Sequence, residues 1–234
     1  MTDLVVAPCG MDAARYAVMR WHYSKRMPIA RLARFGVWEA GRFVGAIVYC
    51  HGGNRHAYQA FGLTMHQGAE LVRVALGDHD APVSQVVAEA TRQLHRASPG
   101  TRLVISYADP LQGHHGGIYQ ALSWAYLGPS PGARGAWRLP SGELVHHRSY
   151  TGAPGFKGKA RKAPPPQALG IKARRVELPR LHRYAYGMDK AMRRHLARLA
   201  QPYPPPCGQG LASETPSPRL GGPGATPGDR SIPA

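Results

Sequence analysis

The chain has 234 residues, 43% of them apolar, which suits one domain of ordinary size with extensions. Its cysteines, Cys9, Cys50 and Cys207, are too few and too far apart for a disulfide framework or a cysteine-rich zinc site, so reduced thiols are expected. No apolar run is long enough to span a membrane, and the amino terminus lacks the basic-then-apolar pattern of a secretory signal. The formal net charge is +17, and the excess is uneven: residues 155–207 carry 13 Lys/Arg against 2 Asp/Glu. Such a block attracts a polyanion and releases counterions on binding, so nucleic acid is the leading partner. An acidic membrane surface and a solubilising tail are the alternatives, and no strong amphipathic Trp/Phe/Leu face accompanies the charge.

The elements follow in chain order. Asp12 is the expected N-cap of a first helix ending at His22, with Ala13, Ala14, Ala17, Val18 and Trp21 on its apolar face. Phe35–Glu39 and Arg42–Cys50 read as strands joined by a turn at Ala40-Gly41. The Gly/His/Asn-rich stretch 51–67 reads as a loop. Glu70–Leu76 is the next strand, 77–82 a turn, and Ser84 the cap of a helix over Gln85–Arg96. Pro99-Gly100 breaks that helix before the strand Arg102–Tyr107. A helix is expected over Ile118–Leu127, ending at Gly128, and a hairpin over Trp137–Arg148 turning at Ser141-Gly142. A hairpin feeding a β-α-β-α unit implies an α/β (α+β) fold, a mixed twisted sheet with helices on both faces. Residues 1–154 are expected to form the catalytic domain. Residues 155–205 would be a basic extension holding a late strand or hairpin (174–186) and a basic helix (189–199), and 206–234 a disordered Pro/Gly/Ser/Thr tail.

Candidate chemistry concentrates where strands meet helices, the place at which open α/β sheets put their ligands. Ser106 and Asp109 stand at a strand end; a carboxylate there can act as base, orient an amine or ligate a metal, and Asp-Pro is equally a common turn starter. Tyr119 opens the following helix and is either a proton donor or simply packed. Trp21-His22-Tyr23-Ser24 followed by Lys25-Arg26 can stack a base and contact phosphate, or merely end a helix with favourable cations. His22, Tyr23 and Asp109 also suit iron or zinc. The turn before the 85–96 helix offers unpaired N–H groups to a phosphate, but it has no glycine-rich fingerprint, and Asp78 and Asp80 oppose an anion.

Several blocks occur together and in order: Trp21-His-Tyr-Ser24, Gly36-Val-Trp-Glu39 with Phe43-Val-Gly45, Glu70-Leu-Val-Arg-Val-Ala75, Ser106-Tyr-Ala-Asp109, Gly113-His-His-Gly-Gly-Ile-Tyr-Gln-Ala121 and Tyr126-Leu-Gly128. The set resembles the Mom family of bacteriophage DNA-modification proteins, and Leu181-His-Arg-Tyr184 with Met188-Asp-Lys190 resembles the end of many phage members. The resemblance implies a fold similar to GNAT-type N-acetyltransferases, whose two central parallel strands splay to admit a coenzyme A arm. It implies conversion of adenine in double-stranded DNA to N6-(carbamoylmethyl)adenine, which blocks restriction enzymes, in the cytoplasm of a bacterial host. It also implies an acyl-CoA-type donor and an iron requirement.

Carried over residue by residue, the likeness puts the chemistry on His22, Tyr23, Ser106, Asp109 and Tyr119, with iron on His22, Tyr23 and Asp109. Donor binding falls to Glu70, Arg73, Val74, Ala75 and Ser84. DNA contact is assigned to Trp21, Lys25, Arg26, His147, Arg148, Lys157, Lys159, Arg161, Lys162, Arg174, Arg175 and Arg183. Two departures stand out. Gly77-Asp-His-Asp-Ala-Pro82 replaces the usual acetyltransferase phosphate loop, and Trp124 stands where those enzymes often carry a tyrosine. An ordinary N-acetyltransferase and a non-catalytic nucleic-acid-binding protein are the competing classes.

Overall fold

The computed structural model describes residues 3–52, 55–146, 166 and 170–206. Its elements are β1 (Leu4–Pro8), α1 (Met11–Trp21), β2 (Arg31–Glu39), β3 (Arg42–His51), α2 (Arg55–Gln59), β4 (Gly68–Leu76), α3 (Val83–Ala97), β5 (Leu103–Ala108), α4 (Gly117–Ala121), β6 (Ala125–Pro129), β7 (Arg134–Arg138), β8 (Leu144–His146), β9 (Arg174–Leu178), β10 (His182–Gly187) and α5 (Lys190–Leu199). Two compact units divide them: residues 1–132 with 179–208, and residues 133–178 with 209–234.

The first unit is a seven-stranded sheet in the order β1-β2-β3-β4-β5-β10-β6. Every pairing is antiparallel except β4 with β5, so this is the expected mixed α/β sheet. Side chains alternate across it, as the two-residue period of a strand requires. From β3, Ile47 and Tyr49 pack with Val86, Val87, Ala90 and Leu94 of α3, while Ala46 and Val48 pack with Ala14, Ala17 and Val18 of α1. From β5, Val104 joins the α3 side; Leu103 and Ile105 join Met192 and Leu196 of α5. Helices therefore cover both faces. Each fully buried Val, Ile or Leu contributes about 1.5–3 kcal/mol of transfer free energy.

The second unit holds the three-stranded antiparallel sheet β8-β7-β9. The boundary expected after residue 154 therefore does not divide the chain. The late strand region separates into β9, in the small sheet, and β10, which is inserted between β5 and β6 of the large one.

Several local expectations are corrected. Leu4–Pro8 forms a strand the sequence reading left unassigned. Gly10, not Asp12, is the N-cap of α1. The stretch read as a loop contains α2 and a short 3-10 turn closed by a Thr64/Gln67 capping box. The N-cap of α3 is Pro82; Ser84 lies inside the helix. The expected helix over Ile118–Leu127 stops at Ala121. Ser123 takes a left-handed φ of 56°, and Ala125 and Tyr126 turn into a strand paired with Ala185 and Tyr184 of β10. Strand pairing at long range overrides helix propensity there.

α5 is anchored by one carboxylate. Asp189 caps it through the Met192 amide at 2.7 Å and takes a two-pronged bond from Arg102 at 2.6 and 3.4 Å. The Arg102 guanidinium holds the Asp189 carboxyl below its ordinary pKa, with the Met192 amide adding to the effect. Asp189→Ala is expected to lower unfolding free energy by about 1–2 kcal/mol near neutral pH, a lost cap plus a half-exposed ion pair. A depressed carboxylate stabilises above the unfolded pKa and stops doing so as pH falls through the folded one. Urea titrations of the two proteins should therefore converge in acid; a gap that persists at low pH contradicts this account.

Candidate active site

β4 and β5 pair from Gly68 opposite Leu103 as far as Leu71 opposite Ser106, and no further. β4 then continues to Leu76 and β5 to Ala108 without a shared ladder. The wedge between them is a cavity of about 400 Å³ lined by His22, Tyr23, Arg73, Ser106, His114 and Tyr119, among others. Four of the five residues expected to carry chemistry thus share one cleft.

At its floor, the Ser106 hydroxyl donates to the Leu71 carbonyl at 2.9 Å and meets the Tyr119 hydroxyl at 2.8 Å. A carbonyl only accepts, so the Ser106 proton is committed to Leu71 and Tyr119 must donate to Ser106. Both residues are buried, and burial pushes the Tyr119 phenol up to about 12. The pair bolts α4 and β5 to the last paired residue of β4.

His22 is 7% exposed. Its Nδ1 accepts from the Ser24 amide at 3.1 Å and lies 2.8 Å from the Ser24 hydroxyl. An amide can only donate, so neutral His22 carries its proton on Nε2, the nitrogen without a hydrogen-bond partner among the described residues. Burial, helped by Arg73, His114 and Lys25, lowers its pKa to about 4. Arg73 is fixed by backbone carbonyls: Nε donates to Arg26 at 3.1 Å and Nη1 to Val72 at 2.6 Å. Half-exposed Tyr23 lies over His22 with ring centroids 4.3 Å apart. Trp21 also lines the cleft, but it is packed between Tyr16 and Phe43 and against Gly77, where a Cβ would lie 2.5 Å from the indole.

The Gly/His turn after β5 forms one wall. Tyr184 of β10 donates to the His115 carbonyl at 2.6 Å and accepts from Gln120 at 3.1 Å. Gly116, at φ 90°, leaves the only room for that ring: a Cβ there would lie 2.2 Å from it. A second cavity of about 270 Å³ sits under this turn. It shares Tyr107, His114, Ile118 and Tyr119 with the first.

Other expected residues fall elsewhere. Asp109 does not line the cleft; its carboxylate accepts from the Leu111 amide at 3.0 Å and caps the 3-10 turn Pro110–Gln112. Val74 lines the cleft beside Arg73, whereas Glu70, Ala75 and Ser84 do not, Ala75 being buried against α1. Lys25 and Arg26 are exposed, with the Lys25 ammonium on the Arg20 carbonyl at 2.6 Å. Arg183 donates to Leu127 at 3.1 Å. Arg174 and Arg175 are exposed on β9 of the second unit. His147, Arg148, Lys157, Lys159, Arg161 and Lys162 lie outside the described residues. Trp124 is core, packed on Tyr119 and Tyr186.

Neither implied cofactor matches these residues throughout. His22 and Tyr23 line the cleft but Asp109 does not, its carboxylate accepting from the Leu111 amide, so the three are not gathered as a ligand set. Among the described residues no group of three or more His, Cys, Asp or Glu is placed to hold a metal ion. For a coenzyme A donor, two amides of the turn before α3 are already used: Asp80 and Ala81 donate to the Glu39 carboxylate at 2.8 and 2.7 Å.

The sheet, its splayed parallel pair and the polar cleft define a mixed α/β protein with helices on both faces and an opening between its two parallel strands. The sequence model of the Mom protein family matches residues 3–205, and the chain belongs to that family. No curated protein matches it in sequence. Among solved structures it is similar to FeeM, an N-acyl amino acid synthase from uncultured soil microbes, at 12% identity and TM-score 0.44, covering 81% of this chain and 93% of that one. It is similar to a probable acetyltransferase from Staphylococcus epidermidis at 8% identity and TM-score 0.43, covering 81% and 100%. The spermidine/spermine N-acetyltransferase SpeG from Vibrio cholerae gives 9% identity and TM-score 0.43, over 82% and 96%.

Two outcomes follow from the floor and from His22. Ser106→Ala strands the Tyr119 hydroxyl and is expected to cost about 1–3 kcal/mol in denaturant unfolding. Tyr119→Phe leaves the Ser106–Leu71 bond intact and should cost less, and the double variant should lose less than the two losses added. Strict additivity contradicts the shared chain. Because folded His22 resists protonation while the unfolded chain does not, wild-type stability should fall as pH drops from 6.5 to about 4. His22→Gln removes that part of the slope, and an unchanged slope refutes the burial argument.

Proposed function

We propose that this chain attaches a group to the exocyclic N6 amine of adenine in double-stranded DNA, giving N6-(carbamoylmethyl)adenine or a related N6 adduct that resists restriction. The observation that carries the reading is the gathering of His22, Tyr23, Ser106 and Tyr119 in one cleft of a chain that belongs to the Mom family.

The adenine amine is a poor nucleophile because its lone pair is delocalised into the ring. It must leave the base stack and meet the donor in a dry, oriented site. The two adjoining cavities suit two substrates, donor in the wedge and everted base under the Gly/His turn. Tyr23, half exposed and backed by His22, stands on the wedge side with its ring 6.0 Å from that of His114, which borders both cavities. Lys25 and Arg26 beside Tyr23 supply phosphate contacts. As N6 forms its bond to the donor carbon, the bond from that carbon to its leaving group breaks and the group departs with the electron pair, while Nε2–H of His22 holds the donor in place. The N6 proton goes to His114, which lines both cavities and is kept neutral by burial. The Tyr119–Ser106 pair takes no proton, since its direction is set by the Leu71 carbonyl.

DNA from bacteria expressing the chain, digested to nucleosides and analysed by mass spectrometry, should contain a heavier deoxyadenosine. The adduct should drop at least tenfold in His114→Ala. Unmodified adenine alongside folded protein overturns the assignment, and full modification by His114→Ala overturns the proton acceptor.

A further inference from the structure

We propose that the cleft grips a small donor molecule by a carboxylate, held between the Arg73 guanidinium and Nε2–H of His22, and that the turn before α3 takes no phosphate because the Glu39 carboxylate already fills it. This deepens the reading above by naming the donor class for the same cleft.

The first half rests on the wall of the cavity. Among the described residues no Asp or Glu lines it, and Arg73 is the one permanent charge on it. Arg73 cannot swing away, since Nε and Nη1 are held by the Arg26 and Val72 carbonyls. Nη2 has no hydrogen-bond partner among the described residues, nor has Nε2 of His22, whose proton is placed there by the Ser24 amide on Nδ1. Two N–H donors on separate, fixed side chains match the two oxygens of one carboxylate. One fixed cation beside a neutral imidazole balances one negative charge, not two, and the nearby Glu70, whose charge acts on Arg73, weighs further against a dianion.

The second half rests on the turn. Diphosphate cofactors are commonly cradled by the amides that open a helix. Here the Asp80 and Ala81 amides donate to Glu39, which is 5% exposed and comes from the far end of β2. The turn is also bonded within itself, His79 Nδ1 to the Ala81 carbonyl at 2.9 Å. Gly77 is pressed against Trp21, and Asp78 and Asp80 add two more negative charges. An internal carboxylate thus takes two of the turn's amides that a phosphate would otherwise seek.

The test is an NMR titration of the full chain, following the His22 side-chain nitrogens and the Asp80 and Ala81 amides. Acetate should shift His22 Nε2 saturably, and Arg73→Gln should weaken that response at least tenfold while leaving the amide spectrum folded. 3′,5′-ADP, the nucleotide end of coenzyme A, should leave the Asp80 and Ala81 amides unmoved. Saturable binding of 3′,5′-ADP at those two amides, or acetate shifts that survive Arg73→Gln, overturns the proposal. Neither probe involves DNA, so the outcomes separate. Modified adenine without a carboxylate response sinks the donor grip alone, whereas a carboxylate response without modified adenine sinks the DNA reading.

Discussion

The site depends on where two parallel strands stop pairing. After Leu71 and Ser106, β4 follows β3 and β5 follows β10, and the gap between them becomes the cleft. Separation on its own would leave backbone groups unpaired in a buried place, which is expensive. The Ser106 hydroxyl removes part of that penalty by capping the Leu71 carbonyl, and Tyr119 completes the chain from α4. A hydroxyl at this one position both ends the ladder and ties down the next helix. A polar residue at the end of a buried strand is easily mistaken for a reagent; here its lone pairs and its proton are already spent on architecture.

Electrostatics divide the neighbourhood in two. On the cleft side, acids are absent from the wall and a cation is held rigid, while His22 stays uncharged because burial and the cations around it make a further positive charge costly. On the side of the turn before α3, a buried carboxylate faces two amides and is held below its ordinary pKa by them, first by Asp80 and then by Ala81. The two environments adjoin, since His79 of the turn and Val83 of α3 also line the cleft, and Trp21 of the Tyr16, Trp21 and Phe43 cluster stands on its wall.

The legible parts of the sequence were those with local signals. Periodicity placed α1, the β2–β3 hairpin, α3 and α5 within a few residues. The ordered blocks placed His22, Tyr23, Ser106 and Tyr119 in one site. What escaped was set by contacts distant in sequence. Glu39 reads as an ordinary strand end, because its two amide partners lie some forty residues away. Tyr184 reads as part of a basic tail until β10 is seen to enter the sheet. Asp109 misled because Asp-Pro serves equally as reagent and as turn opener, and only the Leu111 amide decides between them. The stretch Ala125–Pro129 has helix-forming residues but finds a strand partner that the chain supplies much later.

That late partner governs how the molecule can be made. β5 and β6 both hydrogen-bond to β10, and the Ser130 amide donates to the Leu181 carbonyl at 2.7 Å where the second unit leaves and rejoins the first. During synthesis, therefore, β5 and β6 leave the ribosome with naked edges and keep them while more than forty further residues are translated. Only once Gly187 has emerged can the sheet seal and Tyr184 brace the Gly/His turn. A polypeptide terminated before β10 therefore lacks the strand whose Tyr184 braces one wall of the cleft.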